Sequence, residues 1–343
     1  MKKLLSIVSA ISAGAIGTAA ADVSVSGAGN FYYSTADGDH NEATQEDSMT
    51  VTGGKVVFTM STETTNGITV SSGATISRDT DDILEYASKA AVSTAVTGMS
   101  SLTFGMDGMT VTLGDINNAG SGTGEGGDVA TFASTHAGHY STGSAASADN
   151  SVMDGIADGT GINVSTSIGA ASVDATFVSK VGSGSNSLLT NSKTAGYSSG
   201  YAINVGFDMG GASVNVAAGG SQAKAAAGKN NSGTALEVSY PASDALSLTV
   251  GGSNGSIGGS DKDNMFIKAA YTMDADTTLT VGYATGDDTT SSVEDKSTTT
   301  SVNVSRSLGG GMSVFAEYAN NDVSNQGTGT SGSAISVGTS VSF

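Results

Sequence analysis

Sixteen short runs of alternating apolar and polar residues recur along almost the whole chain. Alternation with a period of two puts one parity on each face of a β-strand, so each run is a strand with one apolar and one polar side. The runs include Val23, Val25, Phe31 and Tyr33; Val56, Phe58 and Met60; Ile68, Val70, Ala74 and Ile76; and Leu102, Phe104 and Met106. Another is Tyr201, Ile203, Val205, Phe207 and Met209. Later ones are Met265, Ile267, Ala269 and Tyr271, then Leu279, Val281 and Tyr283, and the last is Ile335, Val337, Val341 and Phe343. The opposite parity is polar or small: Asp174, Thr176, Asn204, Asp208, Asn215, Glu237, Lys268, Asn303 and Glu317. One stretch departs from the pattern: Ile83 to Val96 reads as a short helix within a long loop.

Connection lengths alternate as well. Glu63 to Asn66, Asp107-Gly108, Gly169-Ala170, Gly210-Gly211, Ala242 to Asp244, Asp274 to Asp276 and Gly309 to Gly311 are short. Asp-Gly between alternating runs is a strong hairpin signal. Long connections lie between them, from Ser34–Asp47, Arg78–Ser100, Asp115–Gly159 and Gly182–Gly196 through to Asn320–Gly332. An even number of strands, short turns at one end and long loops at the other define a closed transmembrane β-barrel. Closure leaves no unpaired edge in lipid. The expected fold is therefore all-β: a sixteen-stranded antiparallel barrel occupying residues 22–343, with its third loop at about 115–160.

Composition removes other classes. The 343 residues include no cysteine, so neither a disulfide framework nor a thiolate zinc site is available. Thirteen Lys plus Arg stand against 32 Asp plus Glu, a net charge of −19, which excludes nucleic acid as a partner because phosphate binding needs clustered bases. Forty-nine glycines beside a single proline point to turns and close strand packing. Lys2 and Lys3, the apolar stretch Leu4 to Ile16 and Ala19-Ala20-Ala21 have the layout of a signal peptide at 1–21, cleaved before Asp22. Losing the two lysines moves the charge to −21.

Motifs for catalysis are weak. Gly196-Tyr197-Ser198-Ser199-Gly200 matches a nucleophile elbow, but an alternating strand follows it, and His40, His136 and His139 all lie upstream. Gly122 to Gly127 satisfies G-x-G-x-x-G without a following amphipathic helix. No enzyme activity is expected. Asp79, Asp81 and Asp82 form an oxygen-rich cluster suited to a structural calcium ion, the only candidate cofactor.

Gly108-Met109-Thr110-Val111-Thr112-Leu113-Gly114-Asp115 resembles the strand that precedes the third loop in Gram-negative general porins. The following connection is the longest in the chain, and Phe343 closes the last strand on its apolar parity, which is similar to the family's assembly signal. Ala21 to Gly27 resembles the start of alphaproteobacterial porins. The resemblance implies a homotrimer of water-filled channels in the bacterial outer membrane, passing small hydrophilic solutes and ions. It implies contact with outer-membrane lipid, lipopolysaccharide and the barrel assembly machinery, and a third loop folded into the lumen. Within that loop, Thr123 to Asp128 is similar to the enteric Pro-Glu-Phe-Gly-Gly-Asp motif without its Pro and Phe, which implies constriction carboxylates at Glu125 and Asp128. For such a channel, the polar parity nominates Lys55, Asp174, Lys180, Asp208, Glu237, Lys268 and Glu317 as pore-lining. Arg306 shares the apolar parity and is expected at the membrane boundary. The acidic surplus predicts cation preference. The competing readings are a surface adhesin or S-layer-like protein and, less well supported, an outer-membrane barrel enzyme.

Overall fold

The computed structural model describes residues 22–38, 48–78, 81–82, 94–97, 101–117, 119–124, 129, 152–153, 156–157, 159–181, 197–223, 230–290, 293–324 and 332–343. The segment 1–21 lies outside them. The described residues form eighteen strand segments. In order these are β1 (Asp22–Gly38), β2 (Ser48–Glu63), β3 (Thr69–Arg78), β4 (Asp81–Asp82), β5 (Thr94–Thr97) and β6 (Ser101–Met106). Next come β7 (Met109–Ile116), β8 (Gly159–Ile168), β9 (Ala171–Val181), β10 (Tyr197–Met209), β11 (Ala212–Ala223) and β12 (Asn231–Pro241). The last six are β13 (Leu246–Ile257), β14 (Ser260–Thr272), β15 (Thr277–Thr290), β16 (Val293–Gly309), β17 (Met312–Ser324) and β18 (Gly332–Ser342). Segments β3 and β4 both pair with β2, and β5 and β6 both pair with β3, so each couple is one interrupted wall strand. The described wall therefore has sixteen strands. Every neighbouring pair is antiparallel, and β1 pairs with β18 from Ala28↔Ser342 to Gly38↔Gly332, closing the barrel.

Hydrogen-bonded partners in an antiparallel ladder point to the same side, so the register sorts the two faces. Along β14, Met265 is 63% exposed and Phe266 only 4%. The outward parity holds the exposed apolar residues: Leu246, Tyr271, Leu279 and Val304 form one cross-strand row, with Leu248, Ala269, Val281 and Val302 above it. Val250, Ile267 and Tyr283, then Gly252 and Met265, make the next two rows. Rows two residues apart rise about 7 Å. Four rows and their side chains therefore match the apolar band of about 25 Å that an outer-membrane barrel presents to lipid.

Two local expectations are corrected. Thr94–Thr97 is strand, paired with Thr75–Arg78, where a helix over 83–96 was expected; residues 83–93 lie outside the described residues. Thr94, Val96 and Thr97 are β-branched and favour the sheet. The long-loop end also carries a two-residue turn, Gly258-Gly259, because β13 and β14 continue past the apolar band. Above the band both faces meet water, so Asn254, Ser256, Asp261 and Asp263 extend the strands without alternating hydrophobicity to announce them.

The short turns follow their sequence signals. Asp107 (φ 48°) and Gly108 (φ 73°) both take positive φ, as the type I′ hairpin requires, and Asp107 is the only non-glycine residue with positive φ among the described residues. Arg306, at the short-turn end of β16, donates to Thr277 Oγ1 (2.8 Å) and pairs with Asp274 (3.4 Å). Asp274 Oδ1 accepts the Asp276 N–H at 2.9 Å. That bond, the Thr277 hydroxyl and, more weakly, Arg306 hold the Asp274 carboxyl below its ordinary 3.8. A depressed carboxylate stabilises the fold above its unfolded pKa and loses that contribution as pH falls through the folded value. A carboxyl-resolved titration is therefore expected to place the Asp274 midpoint below 3.8. Arg306→Gln is expected to move it only slightly upward, since the hydrogen bonds within the turn dominate.

Candidate functional site

The face opposite the apolar band is where the segment between β7 and β8 docks. Ile116 ends β7 on the inward parity and begins this packing. The Ala119 N–H then donates to Thr176 Oγ1 at 2.9 Å, and Thr123 Oγ1 donates to Asn204 Oδ1 at 3.4 Å. Gly120 lies against Ala217 and Gly124 against Gly252 and Ala235, both at positive φ. Val129 sits on Gly282, and further along the Val152 N–H donates to Ser253 Oγ at 2.8 Å. Met153, Ile156 and Ala157 are fully buried against Val178, Ala202, Ala217 and Ala235. The described residues of this segment thus contact the inner face at points from β9 to β15.

Glycine makes this floor. Gly219, Gly233 and Gly255 are register partners on β11, β12 and β13. A Cβ added at Gly233 would lie 2.8 Å from Ile156 Cδ1 and 3.1 Å from Val152 Cγ1; at Gly219 it would lie 3.1 Å from Met153 Cε. At Gly282 it would come within 2.7 Å of Val129 Cγ1. The missing side chains are the volume into which the loop's apolar residues fit. The sequence signal for this floor is glycine on the polar parity of adjacent strands, and assigning glycine to turns and general strand packing missed it.

Around the floor the inner face is polar. Asp174 accepts from Asn163 Nδ2 and Ser165 Oγ, both at 2.8 Å, and stands in register with Asn204. Asn163 Nδ2 also reaches Thr176 Oγ1 at 2.9 Å, tying this carboxylate to the loop anchor. Asn264 Oδ1 accepts from the Ser253 N–H (2.7 Å) and Ser253 Oγ (2.8 Å), which orients the second anchor. Glu237 is in register with Asn215 and Gly251, and Asp208 with Ser213 near the short-turn end. Lys268 lies between Thr249 and Gly282, and Lys55 opposite Ala28 and Ser77. Glu317 is 2% exposed, and its Oε2 accepts from Asn303 Nδ2 at 2.8 Å. Ser34 and Ser336 hydrogen-bond beside it.

All five of Asp174, Asp208, Glu237, Lys268 and Glu317, with Lys55, take the inward parity in the register. They are spread around the wall rather than gathered in one cluster. The sequence pattern put Thr176 on the polar parity without a role and did not single out Asn163, Ser253 and Asn264; these neutral residues hold the loop. Lys180 pairs with Thr160 in the ladder, and its side chain lies outside the described residues. Glu125 and Asp128, between Gly124 and Val129, also lie outside them. So does Asp79; Asp81 and Asp82 pair with Val51 and Thr50, with their side chains likewise outside. Among the described residues no group of three or more His, Asp or Glu is placed to hold a metal ion. The elbow-like stretch at Tyr197–Gly200 is the start of β10, not a strand-turn-helix.

With a closed sixteen-strand wall, an apolar outer band and a loop seated inside, the comparison with known proteins is decisive on family. A family profile for Gram-negative porins matches residues 7–326. The chain belongs to the Gram-negative porin family. Solved structures similar to this porin include a triple mutant of the Rhodopseudomonas blastica porin, at TM-score 0.62 and 16% identity, covering 94% of this chain and 100% of that one. The outer-membrane OmpT of Vibrio cholerae is similar at TM-score 0.66 and 12% identity, covering 96% and 99%. At these identities the likeness is one of fold. No curated protein sequence matches the chain. As a porin, this chain is an outer-membrane channel protein, and its polar inward parity is the surface such a channel presents to water.

Proposed function

We propose that this porin is a passive, cation-preferring diffusion channel for small hydrophilic solutes and ions, and not an enzyme. The contacts of Ala119 with Thr176 and of Val129 with Gly282 carry the reading, because residues seated on the inner wall narrow whatever passes. Asp128 immediately precedes Val129, which rests on Gly282, and Gly282 is the register partner of Lys268. In this reading Glu125 and Asp128 are the constriction carboxylates. Asp174, Asp208, Glu237 and Glu317 outnumber Lys55 and Lys268 on the inward parity, while the register shift beside Thr160 puts Lys180 on the other parity. Acidic groups lining a narrow passage favour cations. A planar bilayer under a KCl gradient is expected to give a reversal potential of cation-selective sign. The triple variant Asp174→Asn/Asp208→Asn/Glu237→Gln is expected to move it toward zero, and anion selectivity in the unaltered protein would refute the proposal.

The same reading makes the protein a homotrimer exported by cleavage after Ala21 and in contact with lipopolysaccharide, with calcium at Asp79, Asp81 and Asp82 as a structural option. Phe343 would engage the barrel assembly machinery. Its ring lies over Gly27, where an added Cβ would collide with it, and its N–H and carbonyl pair with the Gly27 backbone at 3.0 and 2.9 Å. Deleting Phe343 is expected to lower the amount of barrel recovered in outer membranes while leaving in vitro refolding largely intact. Equal loss in both would assign the residue to stability instead of assembly.

A further inference from the structure

Phe266 breaks the polar inward parity of β14, where its neighbours on the same face are Asn264 and Lys268. A phenyl ring on a water-facing wall is favourable only where it is covered. Phe266 is covered: it clusters with Val129 and Ala284, all three buried. The ring lies over Gly251, its register partner on β13, where an added Cβ would come within 2.5 Å of Cε1 and 2.8 Å of Cζ. Ala284 is its register partner on β15, and Gly282, on which Val129 rests, lies two residues before Ala284 on the same face. Two glycines and an alanine thus leave a recess that Phe266 and Val129 fill together. This seat shares no residue with the cluster around Met153 and Ile156. Charged wall groups flank it: Glu237 is the register partner of Gly251, and Lys268 that of Gly282.

We propose that Phe266 is a positioning residue for the channel: it holds the constricting segment against the wall at Val129, independently of the floor under Met153 and Ile156. Unseating Val129 returns both apolar side chains to water, so the ring and the valine keep each other in place. Truncating the ring frees the segment at this one point and widens the passage beside Glu237 and Lys268. The effect on current rests on the reading of the seated segment as the constriction; the effect on Val129 does not.

The chain has no cysteine, so Val129→Cys or Met153→Cys supplies a unique thiol in the full protein. Cysteine behaves as a small apolar residue when buried, which suits both positions. The rate of modification by a water-soluble methanethiosulfonate, read by mass spectrometry on the folded barrel, reports how often each position leaves its seat. Adding Phe266→Ala is expected to speed labelling at position 129 by about tenfold or more, because most of the apolar contact is lost. Labelling at position 153 is expected to stay unchanged, and Phe266→Leu to restore slow labelling at 129. Single-channel conductance of Phe266→Ala is expected to rise by about half. Heat-modifiable migration on a gel verifies folding. Where Phe266→Ala does not fold, Gly282→Ala carries the same test, because its Cβ would meet Val129 Cγ1 at 2.7 Å and its nearest contacts are all atoms of Val129. Unchanged labelling at 129 would overturn the proposal. So would equal acceleration at 129 and 153, which would make the two seats one unit. Faster labelling at 129 alone, with unchanged conductance, would keep Phe266 as the holder of Val129 and overturn the reading of this segment as the constriction.

Discussion

Gly233→Val is expected to raise single-channel conductance by about twofold, because conduction follows the width of the constriction. The new side chain enters space held by Ile156 and Val152, at 2.8 and 3.1 Å from the Cβ, and no backbone atom of the wall is among its nearest contacts. Overpacking of this kind costs about 1–3 kcal/mol. That is comparable to the ~1.5–3 kcal/mol that burying each of Val152, Met153 and Ile156 contributes. The barrel has its strand ladder to hold it, whereas the loop has these apolar contacts and a few hydrogen bonds, so the loop yields first. Gly255→Ala is the contrasting variant. Its Cβ would strike the backbone carbonyl of Ser232, so the expected loss is in barrel folding. Bilayer recordings of Gly233→Val beside a refolding yield for Gly255→Ala separate the two outcomes. Unchanged conductance in a folded Gly233→Val barrel would mean that the docked loop does not limit flow.

Val250→Arg is expected to cut insertion into bilayers sharply. Val250 is 44% exposed in the third row of the apolar band, and charge near the bilayer midplane on a barrel's lipid face costs about 2–4 kcal/mol. Each 1.4 kcal/mol is roughly a tenfold change in the folding equilibrium, so the loss spans more than one order of magnitude. Asn215→Arg places the same charge on the inward face, in register with Glu237. It is expected to fold at the level of the unaltered chain and to shift selectivity away from cations. Denaturant titration in vesicles measures the first effect and reversal potential the second. Equal destabilisation by both arginines would reverse the assignment of faces.

Much of the wall is legible in the residues themselves. The sixteen alternating runs correspond to sixteen wall strands because lipid on one side and water on the other impose period two on each. The inward parity of Asp174, Asp208, Glu237, Lys268 and Glu317 follows from the same rule. Other features stay hidden in the sequence for physical reasons. Above the band both strand faces are wet, so the extensions through Asp261 and Asp263 have no alternating pattern to read. The helix expected over 83–96 rests on local composition. At Thr94–Thr97 pairing with β3 prevails over it, as tertiary context commonly overrides propensity. The loop floor escapes a linear reading because Gly219, Gly233 and Gly255 come together only across strands. Nothing in the neighbourhood of any one of them in the chain marks the patch. The anchors Thr176 and Ser253 escape it because neutral hydroxyls on a polar parity are numerous, and only the register shows which of them meet the loop.

The proposal that the barrel encloses an aqueous passage requires that it conduct. Single-channel recording of the purified protein in a planar bilayer is therefore the critical experiment. Discrete conductance steps are expected, linear in voltage at low potential and rising with salt concentration, with cation-selective reversal. A correctly folded, membrane-inserted barrel that gives no conductance steps would mean that the lumen is not an open passage.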